Sequence, residues 1–156
     1  MKCMTESGWS GLVLGILLLW PVSRGRAESP EEERGTLKVE VTELENSKGK
    51  VRAGLFTSNR KFPLGVDGVE PIAEAEIVGG EATVVFEGLP HGTYAVVIYH
   101  DANANGQLDK NFLGMPREGA GVYKPVDRRF PPPNFGDCHF GFDRSKQTVT
   151  VSPRYL

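Results

Sequence analysis

Cysteine is the scarcest resource in this sequence. Two occur, Cys3 and Cys138, and Cys3 falls inside an N-terminal stretch with the pattern of a removable leader. A single remaining thiol closes no disulfide within the chain, so stability has to come from an ordinary hydrophobic core. Cys138, in DCHFGF, is expected as a small buried apolar residue. Long apolar runs are scarce too. Leu12 to Trp20 is the candidate, and it is too short to cross a bilayer core of about 30 Å as a helix. A lysine precedes the run, and Gly25-Arg26-Ala27 puts small residues at the −3 and −1 positions of a cut after Ala27. Residues 1–27 therefore read as a secretory signal peptide. Cys3 precedes the apolar run and is not placed as a lipid acceptor. The expectation is an exported chain, periplasmic or extracellular, with no stable membrane insertion after signal cleavage.

Charge of one sign is also missing. The chain carries 18 Lys and Arg against 20 Asp and Glu. Loss of residues 1–27 takes Lys2, Arg24, Arg26 and Glu6, leaving 15 basic against 19 acidic side chains, a net charge of −4. Apart from Glu31-Glu32-Glu33 no single-sign block remains. A mildly acidic chain has no electrostatic footprint for nucleic acid or anionic lipid, which excludes both as partners. Nor is there an internal repeat, an amphipathic helix of normal length, a nucleophile elbow, a glycine-rich phosphate loop or an HExxH pair.

What the chain has is alternation. Residues 28–35, ESPEEERG, read as a flexible tail, and residues 36–156 as one β-sandwich domain. TLKVEVTEL puts Leu37, Val39 and Val41 on one face, and KVRAGLFT puts Val51, Ala53 and Leu55 inward. With the turn 46–49 between them, the two read as a hairpin. IAEAEIV and ATVVFEGL read as a second pair joined by Gly79-Gly80. TYAVVIYHD, CHFGFD and QTVTVSP complete about seven short strands. The fold class is all-β, an antiparallel sandwich of immunoglobulin-like or prealbumin-like architecture.

TYAVVIYH breaks the alternation because it is apolar on both faces, where the outer face of an open sandwich should be polar. Something must cover that second face. The segment 110–136 is longer than an ordinary connection and too apolar for disorder. Phe112, Leu113, Met115, Val122, Tyr123, Phe130 and Phe135 are expected to form an ordered flap there, with one helical turn at NFLGM. Phe62 is expected to anchor the loop NRKFPLGVDGVEP.

Two stretches carry candidate chemistry. GLPHGTY is a turn, with Pro90 and Gly92 suited to positions i+1 and i+3 and His91 solvated at its tip. HDANANGQLD matches the spacing of an EF-hand-type calcium loop at Asp101, Asn103, Asn105, Gln107 and Asp109, with Gly106 at the bend and Leu108 as inward anchor. Position 12, where a bidentate glutamate belongs, is Phe112. Missing oxygens would have to come from the flap, with Glu118 the nearest carboxylate and Asp127 another. Such a Ca²⁺ site would be weak, with Kd of ~10⁻⁴ to 10⁻³ M. The competing reading is a loop whose Asn and Asp side chains bond their own backbone as Asx-turns. His100, at the strand end, reads as a satisfied structural histidine. His139 and Cys138 point to opposite faces if they lie on a strand. Arg117-Glu118 and Arg128-Arg129 read as solvated or locally paired charges.

The run HD-x-N-x-NG-x-LD-x-NFLG-x-P-x-EG, matched from His100 to Gly119, together with GLPHGTY before it and a Pro-Pro-Asn-Phe segment after it, resembles an exported bacterial family of uncharacterised β-sandwich proteins, domain of unknown function 2141. The resemblance spans Thr36 to Leu156. It implies export and a β-sandwich, and it implies no activity. Three functions compete on the sequence. The first is a non-enzymatic binding or scaffold module of the bacterial envelope, with a protein or glycan ligand and a weak calcium-stabilised loop. The second is a periplasmic ligand-binding protein or hydrolase using a His100/Asp101/Glu118 cleft. The third is a self-assembling structural secreted protein.

Overall fold

The computed structural model describes residues 33–63, 69, 71–124 and 132–155. The expected signal peptide, most of the tail, and Asp127, Arg128, Arg129 and Phe130 lie outside the described residues. Eight strands and one short helix follow in order: β1 (Arg34–Val41), β2 (Lys50–Phe56), β3 (Ile72–Glu76), β4 (Ala82–Pro90), β5 (Gly92–Asp101), β6 (Ala120–Val122), α1 (Phe135–Cys138), β7 (Phe140–Phe142) and β8 (Lys146–Val151). They form two sheets. One has the order β4-β1-β8; the other runs β3-β2-β5-β6, with β7 paired to the first residues of β5. Alternation holds where it was read. Leu37, Val39 and Val41 meet Val51, Ala53 and Leu55 in one core between the sheets.

The pairing differs from the sequence reading at three places. β1 and β2 are not a hairpin: β1 pairs with β4 and β8, while β2 pairs with β3 and β5 in the opposite sheet. Alternation cannot separate these arrangements, because two strands bury the same residues whether they lie side by side or face each other across a core. β3 and β4 likewise fall in different sheets, and only the bridge Val78 to Glu81 brackets Gly79-Gly80. Both glycines have positive φ, 63° and 81°, as a two-residue turn requires. Finally, β8 runs parallel to β1, from Thr36 opposite Lys146 to Val41 opposite Val151, so the sandwich is mostly rather than wholly antiparallel. The eighth strand is β6, three residues inside the expected flap.

Smaller corrections follow from the same geometry. β1 takes in Arg34 and Gly35, which the sequence had placed in the tail. Cys138 is fully buried at the end of α1, and His139 caps that helix rather than continuing a strand. His91 is the one residue between β4 and β5, where the chain switches sheets. Its side chain is 22% exposed, edge-on to Phe142 and 3.2 Å from Glu33, so it is packed rather than solvated. Tyr94 fixes that corner by donating to the Pro90 carbonyl at 2.9 Å.

β5 does need a cover on its outer face, and it has one. Val97 and Tyr99 are buried there with Phe56, Val69 and Leu108, and Phe62, Ala120, Val122 and Phe135 pack against them. Phe62 is the expected anchor, edge-on to Phe56 at 5.3 Å and to Phe135 at 6.3 Å. Phe112 and Leu113 are not part of the cover, being 95% and 69% exposed. NFLGM forms a turn, not helix: Gly114 N–H donates to the Asn111 carbonyl at 2.9 Å. Tyr123 goes to the inner core, against Phe140.

Candidate functional site

β5 ends by sending two neighbouring polar side chains to opposite faces, as successive strand residues must. His100 continues the inner face of Val96 and Ile98. Asp101 continues the outer face of Val97 and Tyr99. Both are buried, at 1% and 2% exposure, and burial obliges each to find partners.

Asp101 finds them in the loop it starts. Its carboxylate accepts from Asn105 N–H at 3.0 Å and Gly106 N–H at 2.7 Å. Asn103 Oδ1 then accepts from Asn105 N–H, and Asn105 Oδ1 from Gln107 N–H, at 3.0 and 2.7 Å. This is a run of Asx-turns, each short side chain standing in for a backbone carbonyl. Ala104 and Gly106 take up positive φ, 54° and 77°. The loop tip is pinned to the sheet by Arg52 of β2, whose guanidinium donates to the Gly106 carbonyl and, at 3.0 Å, to the Tyr99 hydroxyl. Leu108 is buried in the outer cluster, as the spacing predicted.

Asp109 receives both asparagine amides, Asn103 Nδ2 at 2.8 Å and Asn105 Nδ2 at 3.1 Å. Glu118 closes the loop from the far side, accepting from Ala102 N–H and Asp109 N–H, each at 3.1 Å. It is half-buried and locally bonded, and it reaches the loop from the flap, where the sequence reading placed the nearest additional carboxylate. Burial raises the Glu118 pKa above the usual glutamate value. The two N–H bonds oppose that rise, and the nearby Asp109 and Asp101 charges add to it. The clamp joins residues far apart in the loop, and nothing in local spacing announced it.

The calcium candidates Asp101, Asn103, Asn105, Asp109 and Glu118 are thus brought onto one loop, with Gln107 exposed beside them. In this loop the oxygens of Asp101, Asn103, Asn105, Asp109 and Glu118 accept N–H groups. The two asparagines turn nitrogen toward Asp109, and each carboxylate oxygen already accepts an N–H. Among the described residues no three His, Cys, Asp or Glu side chains stand in metal-holding range.

His100 belongs to a different site. Nε2 lies 2.7 Å from the Lys48 carbonyl and Nδ1 lies 2.8 Å from the Tyr155 hydroxyl. A carbonyl only accepts, so Nε2 carries the proton; Nδ1 of the neutral ring then accepts from Tyr155 O–H. Tyr155 in turn accepts from Glu45 N–H at 3.1 Å. Burial pushes the Tyr155 hydroxyl above the ordinary phenol range, the Glu45 N–H opposes it, and the Glu45 charge adds to it. Gly119 lets the ring sit here, because a Cβ at that position would land on the Tyr155 ring. His100 meets the sequence expectation of a satisfied structural histidine. It shares no cleft with Asp101 and Glu118, since its ring faces the other side of the sheet.

Beyond the clamp, residues 109–117 form a small hook. Asn111 Oδ1 accepts from Leu113 N–H and Met115 N–H at 2.9 and 3.0 Å. Asn111 N–H donates to Met115 O, and Arg117 N–H to Asp109 O, both at 2.8 Å. Phe112 and Leu113 ride on the tip.

Fold and loop together define a two-sheet β-sandwich whose fifth strand opens into an Asx-turn loop closed by a glutamate. The family model for uncharacterized proteins conserved in bacteria, DUF2141, matches residues 39–150, and the chain belongs to that family. No curated protein and no solved structure matches the chain.

Proposed function

We propose that this chain is an exported, non-enzymatic β-sandwich module of the bacterial envelope that engages a protein or glycan partner through the hook 109–117. The observation that carries this reading is the tip. Phe112 is 95% exposed and Leu113 69%, yet five hydrogen bonds fix the turn beneath them. A paired apolar tip contributes nothing to the fold, and large exposed apolar groups mark interaction sites. A preformed turn loses little entropy on binding, and full burial of each side chain on a partner is worth about 1.5–3 kcal/mol. Export rests on the N-terminal leader pattern.

The test is co-sedimentation of the purified protein with washed envelopes and with isolated peptidoglycan. Phe112→Ser and Leu113→Ser should abolish sedimentation while leaving the melting temperature unchanged. Equal sedimentation of wild type and variants, or none by either, sinks the reading. Sequencing of the secreted chain should find Glu28 at its start.

One observation favours a variant of this reading. Asp101, Asp109 and Glu118 surround a single loop, and none forms an ion pair with a lysine or arginine among the described residues. A weakly held Ca²⁺, with Asn103 and Asn105 rotated to present oxygen, would relieve that repulsion and tie loop to clamp. Ca²⁺ should then raise the melting temperature and EDTA reverse it. A melting temperature indifferent to both leaves the loop held by its own hydrogen bonds.

A further inference from the structure

On leaving β2 the chain makes a tight turn beside a cavity of about 340 Å³, at the lower end of the roughly 300–1,000 Å³ range of small-ligand sites. Its lining combines three kinds of group. Leu55, Phe56 and Val69, all buried, form its floor and leave little apolar surface open, so the lining is mainly polar. Ser58 supplies a hydroxyl, and Arg60 and Lys61, both exposed, supply two adjacent cations. Among the described residues no carboxylate pairs with either cation.

The turn that carries these groups is fixed from several sides. Asn59 Oδ1 accepts from Phe135 N–H at 2.7 Å, and the Asn59 carbonyl accepts from Phe62 N–H at 3.1 Å. The Phe62 ring is held between Phe56 and Phe135. Arg60 N–H donates to Ser58 Oγ at 3.3 Å. Lys61 is kept at φ 64°, a left-handed conformation that costs a non-glycine residue about 1 kcal/mol or more. Folding alone would favour glycine or asparagine there. Arg60 and Lys61, adjacent on that turn, both line the cavity and bring two positive charges to it.

We propose that this cavity binds an acidic sugar, a carboxylate or phosphate carried on a polyol ring. Arg60 and Lys61 take the oxyanion, Arg60 in two-pronged fashion. Ser58 and Thr57, which line the cavity, meet ring hydroxyls. A bare anion would fill only part of a cavity of about 340 Å³, and a neutral sugar would leave the cations unused. The site is separate from the hook, so either can fail without the other.

Titrations followed by amide chemical shifts test it, with glucuronate and glucose 6-phosphate as probes and glucose, acetate and inorganic phosphate as controls. Saturable shifts at residues 55–61 with either acidic sugar, and much weaker ones with the three controls, are expected. Comparing the two acidic sugars tells carboxylate from phosphate. The double variant Arg60→Gln/Lys61→Gln alters exposed side chains, should melt as wild type does, and should weaken binding roughly tenfold. Acetate or phosphate binding as tightly as the sugars reduces the cavity to a simple anion site and overturns the proposal. So do glucose binding equally well, undiminished binding by the double variant, and no saturable shift with either probe.

Discussion

Tyr155→Phe removes one oxygen and leaves an aromatic ring of the same shape, so its effect isolates the hydroxyl at the centre of the His100 site. Two donors and acceptors lose their partner. Glu45 N–H lies on an exposed residue and turns to water. His100 Nδ1 cannot, because the residue is 1% exposed and its other nitrogen is committed to the Lys48 carbonyl. The loss is therefore close to that of one buried unsatisfied acceptor, about 1–3 kcal/mol. In a domain of this size that corresponds to a fall in melting temperature of roughly 3–10 °C. Urea denaturation of wild type and variant at neutral pH measures it directly, with an unchanged m-value confirming that only stability moved. The same substitution in a His100→Leu background, where no acceptor is left to strand, should cost distinctly less, giving a coupling of about 1 kcal/mol or more. A Tyr155→Phe protein with the wild-type midpoint, or an equal cost in both backgrounds, would refute the tautomer and the network built on it.

Other perturbations bear on the loop and the clamp. Asp101→Ala strips a buried carboxylate from two backbone N–H groups and should destabilise by about 2–3 kcal/mol in a denaturant melt; Asp101→Asn should recover only part, since its Nδ2 would face one of the N–H donors. Glu118 has a folded pKa above the unperturbed 4.5, so the folded chain holds that proton more tightly than the unfolded one. Its contribution is complete below that value and is lost as pH rises through the folded one. Stability of wild type relative to Glu118→Gln should therefore fall as pH rises above 4.5, and a difference that grows with pH would be the wrong sign. Arg52→Met should release the Gly106 carbonyl and speed amide exchange across residues 103–108 while β5 stays protected. Gly119→Ala drives a methyl into the Tyr155 ring and should cost about 1–3 kcal/mol.

These sites were legible in the sequence to different degrees, and the differences have physical causes. Strands could be read because burial on one face writes a period of two into the chain, and Leu37, Val39 and Val41 obeyed it. Partners could not, because β1 and β2 bury the same faces whether paired or opposed. The double apolar face of β5 correctly demanded a cover. The composition of that cover was misjudged at Phe112 and Leu113, where hydrophobicity suggested packing and a tight turn instead throws both side chains outward. At Asp101, Asn103 and Asn105 the spacing suits a cation and a run of Asx-turns equally well. What separates the two is where the Nδ2 groups point, a torsion that no residue pattern records. Glu118 was read both as a solvated or locally paired charge and as the flap carboxylate nearest the loop; that it closes the loop through two backbone N–H groups is a property of the chain's path.

The parallel contact between β1 and β8 has a consequence for the order of events. β1 is the middle strand of its sheet, and one of its two neighbours, β8, is made after every other described strand. β1 pairs with β4 on one side and with β8 on the other, so it waits, half paired, for β8. Such long-range closure is slow compared with local hairpin formation. If the chain is exported as proposed, late closure would keep it threadable until β8 is made.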